Sequence, residues 1–244
     1  MNLVVARLTL ATVLGRRRAL VLALVPAVLL VVAVVFRLVA GTDELVGVGV
    51  IDGLGVGTLL PVLCVVVGTS VIGPEIEDGA IVYLLSKPLS RGTIVRTKLA
   101  VAIGVSWVLG ALPVGIAGLV LLGPGDLGVA LVYAIVAAVA AVVYCSMFLL
   151  LGVLTGNAVV IGLLYALIWE TTVASIVSGA AALSVRQWAL SLGESLLGPD
   201  ASARLGVDAA LVLPVAVVLM VLVVVGATWW ATRLLGRLGL SAPE

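Results

Sequence analysis

Histidine is absent from this 244-residue chain. That removes the commonest metal ligand and the usual general base near neutral pH. Cysteine occurs only as Cys64 and Cys145, each inside an apolar run. Two such thiols make no disulfide framework, and they are expected to be small packing residues. Charge is scarce as well: charged side chains are 10% of the chain, against about 25% in an average soluble domain. No Gly-x-x-x-x-Gly-Lys-Ser/Thr run is present, and neither lysine follows a glycine, so the phosphate-cradling loop of nucleotide hydrolases is missing. Paired carboxylates are not seen in any apolar segment. No catalytic residue, metal ligand or cofactor of its own is therefore expected, and an enzyme reading has little support. The net charge of +1 gives no reason to expect nucleic acid or an acidic partner.

What the chain has is apolar surface. Hydrophobic residues make up 64%, and the mean hydropathy is +1.40. A soluble protein of this size cannot bury that much, so the expected class is all-α and polytopic in a membrane. Crossing the hydrocarbon takes about 20 apolar residues. On that measure six spans are expected, at about 19–40, 49–73, 99–123, 128–154, 158–179 and 209–232, within one transmembrane domain over 1–244. The stretch from Leu127 to Trp169 carries no charge and is long enough for two crossings, with Thr155-Gly156-Asn157 as the break. The N-terminal Arg16-Arg17-Arg18 and the apolar run after it resemble a signal peptide. The run is long and lacks a small-x-small cleavage site, so a retained span is expected.

Six spans put both ends on one side. Ten of the 13 basic residues then share that side: Arg7, Arg16, Arg17, Arg18, Lys87, Arg91, Arg96, Lys98, Arg233 and Arg237. Arg37, Arg186 and Arg204 fall on the other. The positive-inside rule places both termini and the loop 74–98 in the cytoplasm. Two further segments have helical amphipathic spacing. Residues 1–18 suit an interfacial helix, with Asn2, Thr9, Thr12 and Arg16 on one face and Leu3, Leu10 and Leu14 towards the other. In the outer segment 180–208, Val185, Trp188, Ala189, Leu192 and Leu196 recur on one face, for a helix at the interface or re-entrant.

The loop 74–98 holds seven of the 25 charged side chains between two long apolar runs. It opens with the acids Glu75, Glu77 and Asp78, continues through Gly79 and an apolar patch that includes Tyr83, Leu84 and Leu85, and ends in Lys87, Pro88 and Arg91. Acids at a helix start and bases after it fit the helix dipole, and Pro88 stops the helix. A short helix with an exposed apolar face is expected here, and such a face on a charged loop marks a docking site or packs on the bundle. Glu170 is the acid deep in a predicted span. There it either locks span five to a neighbour by hydrogen bonds or lies on a translocation path or dimer seam.

The stretch GPEIEDGAIVYLLSKPLSRGTIVRTKLA resembles the loop between spans two and three of ABC-2-type permeases, the six-span membrane subunits of ABC exporters. The matching positions are Glu75, Asp78-Gly79, Tyr83 to Ser86, Lys87-Pro88, Ser90-Arg91 and Lys98. Residues 76–78 and Ala80, where Thr or Ser is expected, depart from the pattern. The run LLYALIWETTVASIVSGAAALSVRQWALSL is similar to the family's fifth span and the outer segment after it. The resemblance implies a coupling helix in the loop, docking through Glu75, Glu77, Asp78, Gly79, Tyr83, Leu84, Leu85, Lys87, Pro88 and Arg91. It implies a second permease protomer, and a separate ATPase subunit that binds ATP and Mg. The location implied is a bacterial plasma membrane, with lipid around the spans. A secondary transporter or channel that works without an ATPase is the alternative, and a membrane-embedded enzyme or assembly factor a more distant one.

Overall fold

The structure, a computed structural model, describes residues 3–41, 43–77, 90–173 and 181–238. No strand occurs among them. The helices are α1 (Leu3–Val13), α2 (Arg16–Ala40), α3 (Glu44–Val50), α4 (Leu60–Ser70), α5 (Gly73–Glu77), α6 (Arg91–Ser106), α7 (Leu112–Leu122), α8 (Leu127–Leu154), α9 (Ala158–Leu164), α10 (Val185–Leu197), α11 (Pro199–Leu205) and α12 (Leu213–Leu238). Wider π-helical turns at Ile51–Leu59 and Trp107–Ala111 join α3 to α4 and α6 to α7, and a third, Tyr165–Val173, continues α9.

Five continuous helices are long and apolar enough to cross a membrane: Ala19–Val39, Glu44–Ile76, Arg91–Leu122, Pro124–Leu154 and Leu213–Gly236. The chain is thus an all-helical membrane protein. Two spans reach further than their hydropathy suggests. The second starts at Glu44, five residues before the expected boundary, because the Asp43 carboxylate accepts the Leu45 and Val46 amides and caps it. The third starts at Arg91, where the Ser90 hydroxyl accepts the Thr93 amide. The apolar helix Ala158–Thr172 is shorter, and the rest of the expected fifth span, 174–179, lies outside the described residues.

Two of the π turns have a cause in the sequence. Pro61 and Pro113 each sit two residues after one ends. A proline inside a helix lacks the N–H for the carbonyl four residues back, and its ring presses on that carbonyl. Widening the preceding turn relieves the contact. The Thr58 hydroxyl donates to the Gly53 carbonyl within the first of these turns at 3.0 Å. Nothing in the local sequence accounts for the third π turn.

α8 is the hub of the bundle and packs against α4, α7, α10 and α12. Small residues set the approach, as helix association within lipid requires. A Cβ on Gly68 would stand 2.8 Å from the Phe148 Cβ, and one on Gly115 2.9 Å from the Ala134 Cβ. Cys64 and Cys145 are fully buried in this core and fill space as expected.

The outer segment forms two helices, α10 and α11. α10 is drawn into the bundle against α8 and α12: Val185, Trp188 and Ala189 are buried, whereas Leu196 is exposed. α1 also differs from the expected amphipathic arrangement. Val5, Thr9 and Val13 face the bundle, and Leu8, Leu10 and Leu14 face outward. Thr9 can be buried because its hydroxyl donates to the Val5 carbonyl at 2.8 Å, leaving no unpaired donor.

Several polar contacts lie at helix ends. Arg37 donates to the Leu121 carbonyl at 3.0 Å, and Arg204 approaches Glu44 at 3.5 Å and Asp126 at 4.0 Å. Arg91 donates to the Leu235 and Gly236 carbonyls, and Lys98 pairs with Glu75.

Candidate functional site

The base of the polar loop is tied to three spanning helices. Lys98, with no exposed surface, donates to Glu75 Oε1 at 2.6 Å and to the Val71 carbonyl at 2.5 Å. An ammonium cannot be buried without such partners. This one holds the end of the second span to the start of the third, across the loop. The other carboxylate oxygen, Glu75 Oε2, is buried without a hydrogen-bond partner among the described residues. Arg91 then spans from the first turn of α6 to the last turn of α12, where unpaired carbonyls await a cation. A Cβ on Gly92 would touch the Thr232 methyl at 3.7 Å, so the two helix ends are in contact.

A second constellation joins the outer helix α10 to two π turns. Glu170, on the π turn Tyr165–Val173, is completely buried. Its Oε1 accepts the Tyr165 hydroxyl at 2.9 Å and the Val185 amide at 3.0 Å, and its Oε2 accepts the Ser184 hydroxyl at 2.5 Å. Ser184 is also the N-cap of α10, accepting the Gln187 amide. The carboxylate therefore sits at the positive end of a 13-residue helix. Next along α10, Arg186 pairs with Asp52 on the π turn Ile51–Leu59, its Nε donating to Oδ1 and its Nη2 to Oδ2, a bidentate fork. Burial alone would lower the Arg186 pKa. The hydrogen bonds and charge of Asp52 outweigh it, and the pKa stands above its ordinary value.

Gly57 makes room for this fork: a Cβ there would stand 3.2 Å from the Arg186 Cδ and Nε. Tyr133 lies within electrostatic reach of the Asp52–Arg186 pair, and Tyr144 of Glu170. Both phenol oxygens are buried without a hydrogen-bond partner among the described residues. The result is a polar seam through the apolar bundle, contributed by the second span, α8, the shorter apolar helix and α10.

Of the residues expected to dock a partner, Glu75 and Arg91 are placed and engaged as described. Glu77 ends α5. Asp78, Gly79, Tyr83, Leu84, Leu85, Lys87 and Pro88 lie outside the described residues. Glu170 is placed, and its contacts are hydrogen bonds to the outer helix. Sequence reasoning missed the Asp52–Arg186 pair. The available signal was cost: a carboxylate within a span needs a partner, because leaving it bare costs roughly 2.5–3.5 kcal/mol. Among the described residues, no group of three or more acids or cysteines is disposed to hold a metal ion. No family model matches the chain, and no curated protein matches it.

Proposed function

We propose that this chain is the membrane-spanning permease subunit of an ABC exporter, paired with a second protomer and driven by a separate ATPase through loop 74–98. In this reading six crossings leave the loop and both termini in the cytoplasm. The fifth is the expected span 158–179, of which Ala158–Thr172 is an apolar helix.

The observation that carries the reading is the mechanical fastening of the loop. An ATPase closing on a coupling helix delivers work only if the loop is stiffly joined to the spans. Glu75, Lys98 and the Val71 carbonyl tie it to spans two and three, and Arg91 ties it to the end of α12. A displacement delivered at the ends of the loop therefore bears on three spans together, the kind of discrete packing change that alternating access uses. The π turns in spans two and three mark where such helices yield. The ten-to-three division of basic residues supports the orientation. The absence of a nucleotide-binding loop from the sequence is consistent with hydrolysis in another subunit.

Purification of the tagged chain from its native membrane in mild detergent tests this. Mg-dependent ATP hydrolysis is expected to co-purify, and Glu77→Lys with Asp78→Lys is expected to lower it at least tenfold at equal permease yield. Solute flux by the chain alone in vesicles, without ATP or a bound ATPase, would favour a secondary transporter or channel.

A further inference from the structure

A groove runs between α1 and the third span. One wall is α1, with Arg7, Leu10 and Leu14 recurring at helical spacing; the other includes Gly104, Val105 and Val108. Its volume is about 470 Å³. Gly104 keeps the floor open, since a Cβ there would meet nothing within 4 Å. Leu10, Leu14 and Val108 are 42%, 40% and 61% exposed, an apolar lining suited to a hydrocarbon chain. The third-span wall runs from Val101 to Leu109, ~12 Å at helical rise. That is close to one leaflet's hydrocarbon, about 15 Å. The groove therefore has the length of an acyl chain lying along the protein.

The charged residue of its lining is Arg7. Arg7 is exposed and makes no ion pair among the described residues. The chain passes from Leu14 through Gly15 straight into Arg16-Arg17-Arg18, and no Asp or Glu occurs before Asp43. An apolar slot with an exposed, unpaired arginine on its wall, followed in the sequence by three more, matches a molecule with a hydrocarbon tail and an anionic phosphate head. A second copy of this chain packed symmetrically through the same groove would instead bring like charges together. We propose that the groove between α1 and the third span is a specific site for one phospholipid of net negative headgroup, its tail along Gly104 and its phosphate at Arg7. The bound lipid would fix α1 to the bundle from the membrane side, complementing the buried Val5, Thr9 and Val13.

Native mass spectrometry of the detergent-purified chain, titrated with phosphatidylglycerol or phosphatidylcholine of identical acyl chains, tests the proposal. One phosphatidylglycerol is expected to bind about fivefold more tightly than phosphatidylcholine. Arg7→Glu and Arg7→Gln are each expected to erase that preference while phosphatidylcholine still binds. Gly104→Leu, which fills the slot, is expected to weaken both lipids about tenfold at unchanged helical circular dichroism. Equal binding of the two lipids by the wild type overturns the proposal. So does a preference that survives both Arg7 substitutions, or Gly104→Leu binding both lipids normally. Efficient disulfide cross-linking of two chains through Leu10→Cys in the membrane also overturns it, by making the groove a protein interface.

Discussion

Lys98 and Glu170 show how single ionisable groups survive inside an apolar bundle. Lys98 is buried with one carboxylate and one carbonyl as partners. Such a pair contributes little net stability when intact, but removing one partner strands the other. Lys98→Met is expected to destabilise the detergent-solubilised protein by about 3 kcal/mol. Adding Glu75→Gln should recover at least half of that loss, which a double-mutant cycle by thermal unfolding measures. Additive losses would mean the two side chains are not coupled. Glu170 is a hydrogen-bond acceptor for three donors. Glutamine retains the Oε1 that takes two of them and can donate to the Ser184 hydroxyl, so Glu170→Gln is expected to be nearly silent. Glu170→Ala leaves all three donors unpaired and should cost roughly 2–4 kcal/mol, at about 1–3 kcal/mol for each unmade buried bond before relaxation. The same unfolding measurement decides it, and a glutamine variant as unstable as alanine would contradict the geometry. Glu170 stood out in the sequence by its isolation. Its partners did not, because Ser184 and Val185 become donors only through the capping geometry of α10. Glu75 and Lys98 were both visible in the loop motif, yet a separation of 23 residues says nothing about pairing.

Among the elements, α10 is the one whose placement the sequence reported least well. Its amphipathic spacing was legible, with Val185, Trp188 and Ala189 on the inner face. Its depth was not, because depth depends on the two anchors it offers, the Glu170 cap and the Arg186 fork. Both anchors land on π turns, where the helix is already widened, so α10 is coupled to the two most deformable stretches of the second span and the shorter apolar helix. Gly57 is the tightest point of that coupling. Gly57→Ala places a methyl against the Arg186 guanidinium stem and the Asp52 carbonyl. It is expected to break the fork and expose the α10 backbone to hydrogen exchange about tenfold faster, whereas Gly53→Ala, which meets open space, should leave exchange unchanged. Equal effects of the two substitutions would rule out the fork as the anchor. The π turns themselves were legible only in hindsight. Pro61 and Pro113 read as ordinary residues in long apolar runs, and the response of the helix to each depends on the neighbours that let it widen.

For the molecule as a whole, hydropathy and charge were enough to predict an all-helical membrane protein, because lipid leaves the backbone few other options. Five continuous helices are long and apolar enough to cross a membrane. Their ends are sharpened by Asp43, Ser90 and the positive-φ glycines Gly41 and Gly123, which close α2 and α7. The three basic residues assigned to the minority side divide between two places. Arg37 donates to the Leu121 carbonyl and Arg204 approaches Glu44 and Asp126, whereas Arg186 is spent on Asp52. The proposed transport role rests on loop 74–98 acting as the handle by which a partner moves the spans. A photo-reactive residue incorporated at Leu84, activated in native membranes, tests that role, with the same residue at the exposed Val218 as the control. The coupling reading predicts a cross-linked adduct from position 84 that contains an ATP-binding subunit, identified by mass spectrometry, and none from position 218. Adducts from position 84 with lipid alone, or the same subunit captured from both positions, would contradict it.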